Sequence, residues 1–101
     1  MTGLTTHVLD TVRGAGAAGM EVELHAPDGV ITTTTLDENG RATLLSKTKP
    51  GAYKLLFHAG AYLKSTDFYD IIPVHFLVTN AGHYHVHLIL SPFGYSTYRG
   101  T

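Results

Sequence analysis

The sequence predicts an all-β fold, a sandwich of two sheets built from about eight short strands and one short helix. Between turn-forming residues, apolar and polar side chains alternate, which is typical of strands that bury one face. Glycine or proline recurs at intervals that suit short strands joined by turns, near residues 14–19, 27–29, 40, 50–51, 60, 73, 82 and 92–94. A chain of 101 residues suffices for a single domain, residues 1–101, with its own core.

The first half of the chain predicts a strand and a hairpin. Residues 4–12 alternate in part and place Thr5 and His7 on one face of a strand. Residues 20–25 alternate cleanly, a Pro-Asp-Gly turn follows, and the threonine-rich residues 30–36 suit a pleated surface. These last two segments are therefore predicted to pair as a hairpin.

The second half predicts the remaining strands and the helix. Asn39-Gly40 supplies a turn whose residues tolerate positive φ, so Arg41 begins the next strand. Residues 52–58, 73–79 and 83–90 alternate as strands, and residues 61–67 form the one predicted helix.

The last eleven residues, 91–101, form an unusual segment that follows an apolar run. They carry two tyrosines, an arginine and several hydroxyl groups. Chain ends usually fray and tolerate change. A segment this rich in aromatic, charged and hydroxyl side chains is therefore expected to be a docked final strand that forms part of a site.

The composition argues against several classes of function. Seven lysines and arginines against eight acidic residues offer no basic field for nucleic acid or for an anionic membrane. The absence of cysteine excludes disulfides and thiolate zinc sites. No basic region followed by a long apolar stretch begins the chain, so we expect a cytoplasmic protein without a membrane segment. Its partner is then expected to be a small molecule or another copy of the chain.

Histidine carries most of the chemistry. Three of the seven histidines, His83, His85 and His87, are spaced by two, so a strand places them on one face while its apolar residues face the core. Three interpretations of this histidine face remain open on these residues: a solvated face, a zinc site, or a metal-free hydrolytic or ligand site. Residues 71–101 contain no acidic side chain to support the second of them.

Four separated motifs occur in order along the chain. They are Leu-Thr-Thr-His-Val-Leu-Asp-Thr at 4–11, Asn-Gly-Arg at 39–41, His-Tyr-His-Val at 83–86, and the segment from Ser-Pro at 91–92 to Gly-Thr at 100–101. From residue 4 onward the chain resembles the transthyretin-related 5-hydroxyisourate hydrolases, enzymes of urate breakdown. The hormone carrier transthyretin is similar in its Ser-Pro and Tyr-Ser-Thr elements, but it lacks the histidines and the Tyr-Arg-Gly-Ser ending of the enzymes.

The resemblance implies a transthyretin-like sandwich that opens the ring of 5-hydroxyisourate by amide hydrolysis, without a metal or another cofactor. The product would be 2-oxo-4-hydroxy-4-carboxy-5-ureidoimidazoline. The resemblance also implies a homotetramer, a dimer of dimers with its sites at the interface between dimers. Two alternatives stay open: a transthyretin-like protein that binds a small ligand without catalysis, and a zinc-dependent hydrolase that uses His83, His85 and His87.

Carried over to this chain, the family's catalytic residues are His7, Arg41 and His85. The expected substrate-binding residues are His7, Arg41, Tyr98, Arg99, Gly100 and Thr101. We expect His85 with His7 to position and deprotonate water, and Arg41 to stabilise negative charge on the substrate. Tyr98 and the backbone around Gly100 would hold the ring, and Thr101 would contribute its hydroxyl or a carboxylate.

Two positions depart from the family pattern. Thr101 stands where members usually have serine, which keeps a hydroxyl group. His87 stands where most members have proline, on the same strand face as His85. On the residues alone, neutral packing of His87 is favoured over a catalytic role.

Overall fold

The computed structural model describes residues 3–64, 67–80 and 82–100. These residues form one short helix and two sheets in which most neighbouring strands are antiparallel. In chain order the described elements are β1 (Leu4–Asp10), β2 (Ala15–Gly16), β3 (Glu21–His25), β4 (Ile31–Thr35), β5 (Arg41–Leu45), β6 (Gly51–Phe57), α1 (Ala59–Leu63), β7 (Ile72–Val78), β8 (Tyr84–Ser91) and β9 (Gly94–Gly100).

The first sheet has β1 and β8 at its centre. Its order is β2-β1-β8-β9, and β5 pairs with β1 on the same side as β2. β1 and β8 run parallel, in register from Leu4 opposite Tyr84 to Asp10 opposite Leu90, whereas β9 returns antiparallel to β8. The second sheet has the order β4-β3-β6-β7. In sequence, the strands of the second sheet therefore lie between β1 and β8, the two central strands of the first sheet.

The core lies between the two sheets. Every second residue of β1 and of β8 is buried, as alternation requires of strands with one face on a core. These side chains meet buried residues of the second sheet, among them Val22, Leu24, Tyr53, Leu55 and Phe57. Burying a large apolar side chain contributes roughly 1.5–3 kcal/mol. The same alternation directs His7, His85 and His87 to the opposite face, away from the core.

The predicted all-β sandwich with one short helix is confirmed. One short strand was not predicted, and the predicted bounds of the helix were wrong. β2 was not predicted, because two residues are too short for a periodic pattern, yet they pair with Leu9 and Asp10. The helix covers Ala59–Leu63 rather than residues 61–67, because Lys64 adopts a left-handed conformation with φ 53° that ends it. Residues 65 and 66 lie outside the described residues.

None of the helices in the described ranges is both long enough and apolar enough to span a membrane.

Candidate active site

The outer face of the first sheet carries two rows of residues that lie opposite one another across four strands. From β5 through β1 and β8 to β9, the first row is Arg41, His7, His87 and Tyr98. The second row, in the same direction, is Thr43, Thr5, His85 and Gly100. Residues opposite each other on neighbouring strands point to the same side of a sheet. We call this surface the histidine face.

Most of the predicted site residues lie on the histidine face. The structure brings together His7, Arg41, His85, Tyr98 and Gly100, which come from four strands. The side chain of Arg99 lies on the other side of β9, where its guanidinium carbon is 4.1 Å from the centre of the Tyr84 ring. Its Nη2 donates a hydrogen bond of 3.3 Å to the backbone carbonyl of His83. Arg99 thus holds β9 against the start of β8, and Thr101 lies outside the described residues.

The turn before β5 fixes the position of Arg41. The Asp37 carboxylate accepts hydrogen bonds from the backbone N–H groups of Asn39, at 2.8 Å, and Arg41, at 3.0 Å. Gly40 has φ +74°, and a Cβ at this position would lie 2.7 Å from the carbonyl oxygen of Val8. Only glycine tolerates both conditions, so the turn docks against β1 and sets Arg41 opposite His7.

Thr5 joins two of the histidines. Its Oγ1 lies 2.6 Å from Nδ1 of His85 and 3.2 Å from Nε2 of His83. A threonine hydroxyl has one proton, so it donates to one of these rings and accepts from the other. When Nδ1 of His85 donates to Thr5, Nε2 of His85 keeps its free lone pair and is a proton acceptor.

His83 ends this chain of hydrogen bonds. Its Nδ1 is buried and has no hydrogen-bond partner within the part of the chain that the structure describes. If Thr5 donates to Nε2 of His83, the neutral ring carries its proton on this unpartnered nitrogen. His83 is therefore linked to His85 through the hydroxyl group of Thr5.

The remaining rings pack closely. The centre of the His87 ring is 4.4 Å from that of His85 and 5.3 Å from that of His7, both in edge contacts. The Tyr98 ring stacks on His87 with a separation of 4.7 Å and an angle of 2° between planes. His87 therefore touches every ring of the two rows.

The surroundings of His7 and His85 favour their neutral forms. Burial lowers the pKa of His7, and the charges of Arg41 and His87 lower it further. A hydrogen bond with the Asn39 backbone and the charge of Asp37 raise the pKa, but by less. The pKa of His85 is lowered by burial first and then by the neighbouring histidines and Arg41. Both imidazoles are therefore available as proton acceptors near neutral pH.

Gly100 brings the backbone of β9 against the histidines. A Cβ at this position would lie 2.8 Å from Cδ2 of His85 and 2.8 Å from Nε2 of His87. Carbon atoms do not approach this closely in folded proteins, so glycine permits the contact between the end of β9 and the two rings.

Beside these residues lies a groove of about 390 Å³, open to the surface. Its lining includes Thr5, Asp37, Arg41, Thr43, His83 and His85. A groove of this size fits a small planar molecule. Across residues 3–64, 67–80 and 82–100, no three His, Asp or Glu side chains are grouped so that they could hold a metal ion.

The sequence interpretation gives three residues of this site no definite role. Thr5 shares the face of His7 without a role. His83 stays open among a solvated face, a zinc ligand and a metal-free site, and neutral packing of His87 is favoured over a catalytic role. The spacing of two along each strand already placed all three on the histidine face. Their contacts depend on the pairing of β1 with β8. These two strands are separated by most of the chain, so no local sequence pattern indicates that they pair.

Comparisons with known proteins identify the family of the chain. The model of the HIUase/Transthyretin family matches residues 4–100. A 5-hydroxyisourate hydrolase of Mesorhizobium japonicum is 42% identical over 97% of this chain and 91% of that protein. The structure of Klebsiella pneumoniae 5-hydroxyisourate hydrolase is 29% identical and superimposes with a TM-score of 0.86, covering 100% of this chain and 94% of that one.

Sea bream transthyretin in complex with thyroxine is also similar, with 30% identity, a TM-score of 0.82, and coverage of 97% of this chain and 94% of that one. The fold is thus shared by a 5-hydroxyisourate hydrolase and a transthyretin that binds thyroxine, and the family match extends over both central strands and the histidine face. This chain belongs to the HIUase/Transthyretin family.

Proposed function

We propose that this protein hydrolyses 5-hydroxyisourate, opening its ring at an amide bond to give 2-oxo-4-hydroxy-4-carboxy-5-ureidoimidazoline. The observation that carries the proposal is the meeting of His7, Arg41 and His85 on one open face, with Tyr98 beside them. The names of the relatives at about 40% identity support the same activity. A larger cavity of about 650 Å³, lined by Asp10, Arg13 and Tyr62 among others, contains none of these residues.

Amide hydrolysis requires a proton acceptor for water, a donor for the negative oxygen that forms, and groups that hold the ring. His85, with Nδ1 bonded to Thr5, accepts a proton from water at Nε2. The water oxygen bonds to the carbonyl carbon, and the carbonyl oxygen becomes negatively charged. Arg41 donates hydrogen bonds to that oxygen, since a guanidinium offers several donors in one plane.

The second half of the reaction returns the proton. The tetrahedral intermediate collapses, the carbon–nitrogen bond of the ring breaks, and His85 donates the proton to the departing nitrogen. The proton that His85 accepted from water is thereby transferred to the leaving nitrogen, and His85 returns to its neutral form. His7, which lies between Arg41 and His87 in the first row, helps to position the water.

Tyr98 and Gly100 would form the wall that holds the substrate ring. The Tyr98 side chain is 51% exposed and stacked on His87, so an aromatic surface is available on the histidine face. Thr101, outside the described residues, is proposed to contribute a hydroxyl group next to Gly100. The side chain of Arg99 would bind substrate only indirectly, by holding β9.

We also propose that the protein assembles as a homotetramer, a dimer of dimers in which the histidine faces meet. The exposure of Tyr98, a large aromatic side chain on the histidine face, supports a partner on this surface. Sedimentation equilibrium of the purified protein tests this. A monomer at the concentration used for the activity assay would contradict the proposal.

The function is tested by following the ultraviolet absorbance of freshly generated 5-hydroxyisourate. Chelator-treated protein should accelerate its decay relative to a protein-free control. No acceleration by the folded protein would contradict the proposed function and would favour ligand binding without catalysis. Acceleration that is lost on chelator treatment and restored by zinc would instead support the metal-dependent alternative.

Replacing Thr5 by valine removes the hydroxyl that holds His85 but keeps the β-branched shape suited to a strand. We expect kcat to fall about tenfold, which corresponds to roughly 1.4 kcal/mol and is typical of one lost hydrogen bond to an active group. Thr5→Ser keeps the hydroxyl and should retain most of the rate. Equal kcat values for the valine variant and the unaltered protein would show that Thr5 does not orient His85.

Replacing Gly100 by alanine should disturb the histidines. The added Cβ would lie 2.8 Å from Cδ2 of His85, so β9 or the ring must move. A displacement of about 1 Å at a catalytic group can cost roughly a hundredfold in rate, and we expect a loss between tenfold and that value. Gly94→Ala on the same strand is the matched control, because nothing lies within 4 Å of its added Cβ. Steady-state rates of the two variants make the comparison.

A further inference from the structure

His87 occupies the centre of the histidine face. It lies between His7 on β1 and Tyr98 on β9, and its ring contacts His85 on its own strand. We propose that His87 is a positioning residue for the hydrolysis proposed above, a third imidazole that orients the rings of His7 and His85 and opposes a proton on either of them. The inference rests on the proposed function and adds a residue to it.

The geometry gives His87 contacts on three sides. Its ring meets the edge of His7 at 5.3 Å and of His85 at 4.4 Å between ring centres, while Tyr98 covers one of its faces at 4.7 Å. Its carbonyl oxygen accepts a 2.7 Å hydrogen bond from Oγ1 of Thr97, which fixes the strand at this point. A ring held in this way limits the rotation of both neighbouring imidazoles.

Most of the titratable groups around His87 are basic. The titratable or charged groups that surround it are Arg41 from β5, His7 from β1, His83 and His85 at β8, and Tyr98 from β9. β7, β8 and β9 contain no acidic residue, and the charge of Asp37, from the turn before β5, acts on His7 and raises its pKa against the larger effects that lower it. Within the described residues, His7, His85 and His87 lie next to one another and Arg41 lies opposite His7, so a positive charge on one imidazole opposes a proton on its neighbours.

This coupling favours the neutral, proton-accepting state of the two bases. A positive charge on His87 lowers the pKa of His7 and is the first cause after burial of the lowered pKa of His85. Two like charges at the separation of these rings repel, so a proton on His87 opposes a proton on either neighbour. A packing residue without charge would support the rings but would not produce this shift.

Two variants separate the electrostatic effect from packing. His87→Phe keeps a ring that can stack on Tyr98, and His87→Gln keeps polarity without the ring. His75→Gln is the matched control, because His75 is exposed on β7 in the other sheet. For each variant, kcat/KM is measured from acidic to neutral pH, and the imidazole signals of His7 and His85 are titrated by NMR without substrate.

Removing His87 should raise the pKa of His7 and His85, so both should bind protons at higher pH. We expect the acidic limb of kcat/KM to move up by about half a pH unit or more in both His87 variants, and not in His75→Gln. The NMR titrations should move in the same direction. The phenylalanine variant should keep a higher kcat on the neutral plateau than the glutamine variant, because it keeps the ring.

The inference is overturned if neither His87 variant moves the NMR titrations of His7 and His85. It is also overturned if the titrations move and the acidic limb of an active enzyme does not. A protein that shows the NMR shift but does not hydrolyse 5-hydroxyisourate would refute the proposed function and leave the coupling of the three imidazoles supported. The NMR spectra also report whether each variant is folded.

Discussion

His85→Gln should lower kcat for 5-hydroxyisourate by about a hundredfold to ten-thousandfold, the usual cost of losing a general base. Glutamine is close to histidine in reach and can still bond to Thr5, which lies 2.6 Å from Nδ1 of His85 in the native protein. The variant therefore keeps the local hydrogen bond and loses the group that titrates. The effect is expected in kcat rather than in KM, because proton transfer occurs after the substrate has bound.

Stopped-flow absorbance with freshly generated substrate measures this loss, and His75→Gln supplies the control for replacing a histidine elsewhere. A His85→Gln rate within a few-fold of the native value would remove His85 from the role of base. His7→Gln, measured in parallel, then identifies the alternative, because His7 shares the lowered pKa that a base near neutral pH requires. If His7 only positions water, its variant should lose less activity than His85→Gln.

The fold could be predicted largely from alternation and turn residues. In β8 the sequence places Tyr84, Val86, Leu88 and Leu90 on one face, and all four are buried. The Asn39-Gly40 turn and the start of β5 at Arg41 were also predicted, because Gly40 requires a positive φ. These features are local, so a single segment contains the information for each of them.

The layout of the site was less accessible to prediction. The two rows of the histidine face exist because β1 pairs in parallel with β8, with His7 opposite His87 and Thr5 opposite His85. No local pattern reveals this register, because paired residues such as Thr5 and His85 are 80 positions apart in the sequence. The resemblance to a known family supplied His7, Arg41 and His85, but the contacts of Thr5 and His87 follow only from the register.

The direction of the Arg99 side chain follows from the alternation of side chains along β9. Tyr98 and Gly100 share a face of β9 with the histidines, so Arg99 between them must point to the other side. It lies over the Tyr84 ring there. A motif of consecutive residues can therefore contain both groups that face the substrate and groups that hold the strand.

Arg41→Gln should lower kcat/KM by about a hundredfold to a thousandfold, as expected when the donor to a developing negative oxygen is removed. Arg41→Lys keeps the charge but loses the planar set of donors, so its loss should be smaller but still measurable. Because the Arg41 charge also lowers the pKa of His7, the glutamine variant should show a His7 titration displaced to higher pH, whereas the lysine variant should not.

Arg13→Gln is the control, because Arg13 is exposed and lies outside the histidine face. The two readouts separate two roles for Arg41. A rate loss equal in the glutamine and lysine variants would indicate that the geometry of the guanidinium matters and its charge does not. A rate loss only in Arg41→Gln, together with the shifted His7 titration, would indicate that Arg41 acts mainly by keeping its neighbour unprotonated. Retention of most activity in both variants would contradict the assignment of Arg41 to the negative charge of the transition state.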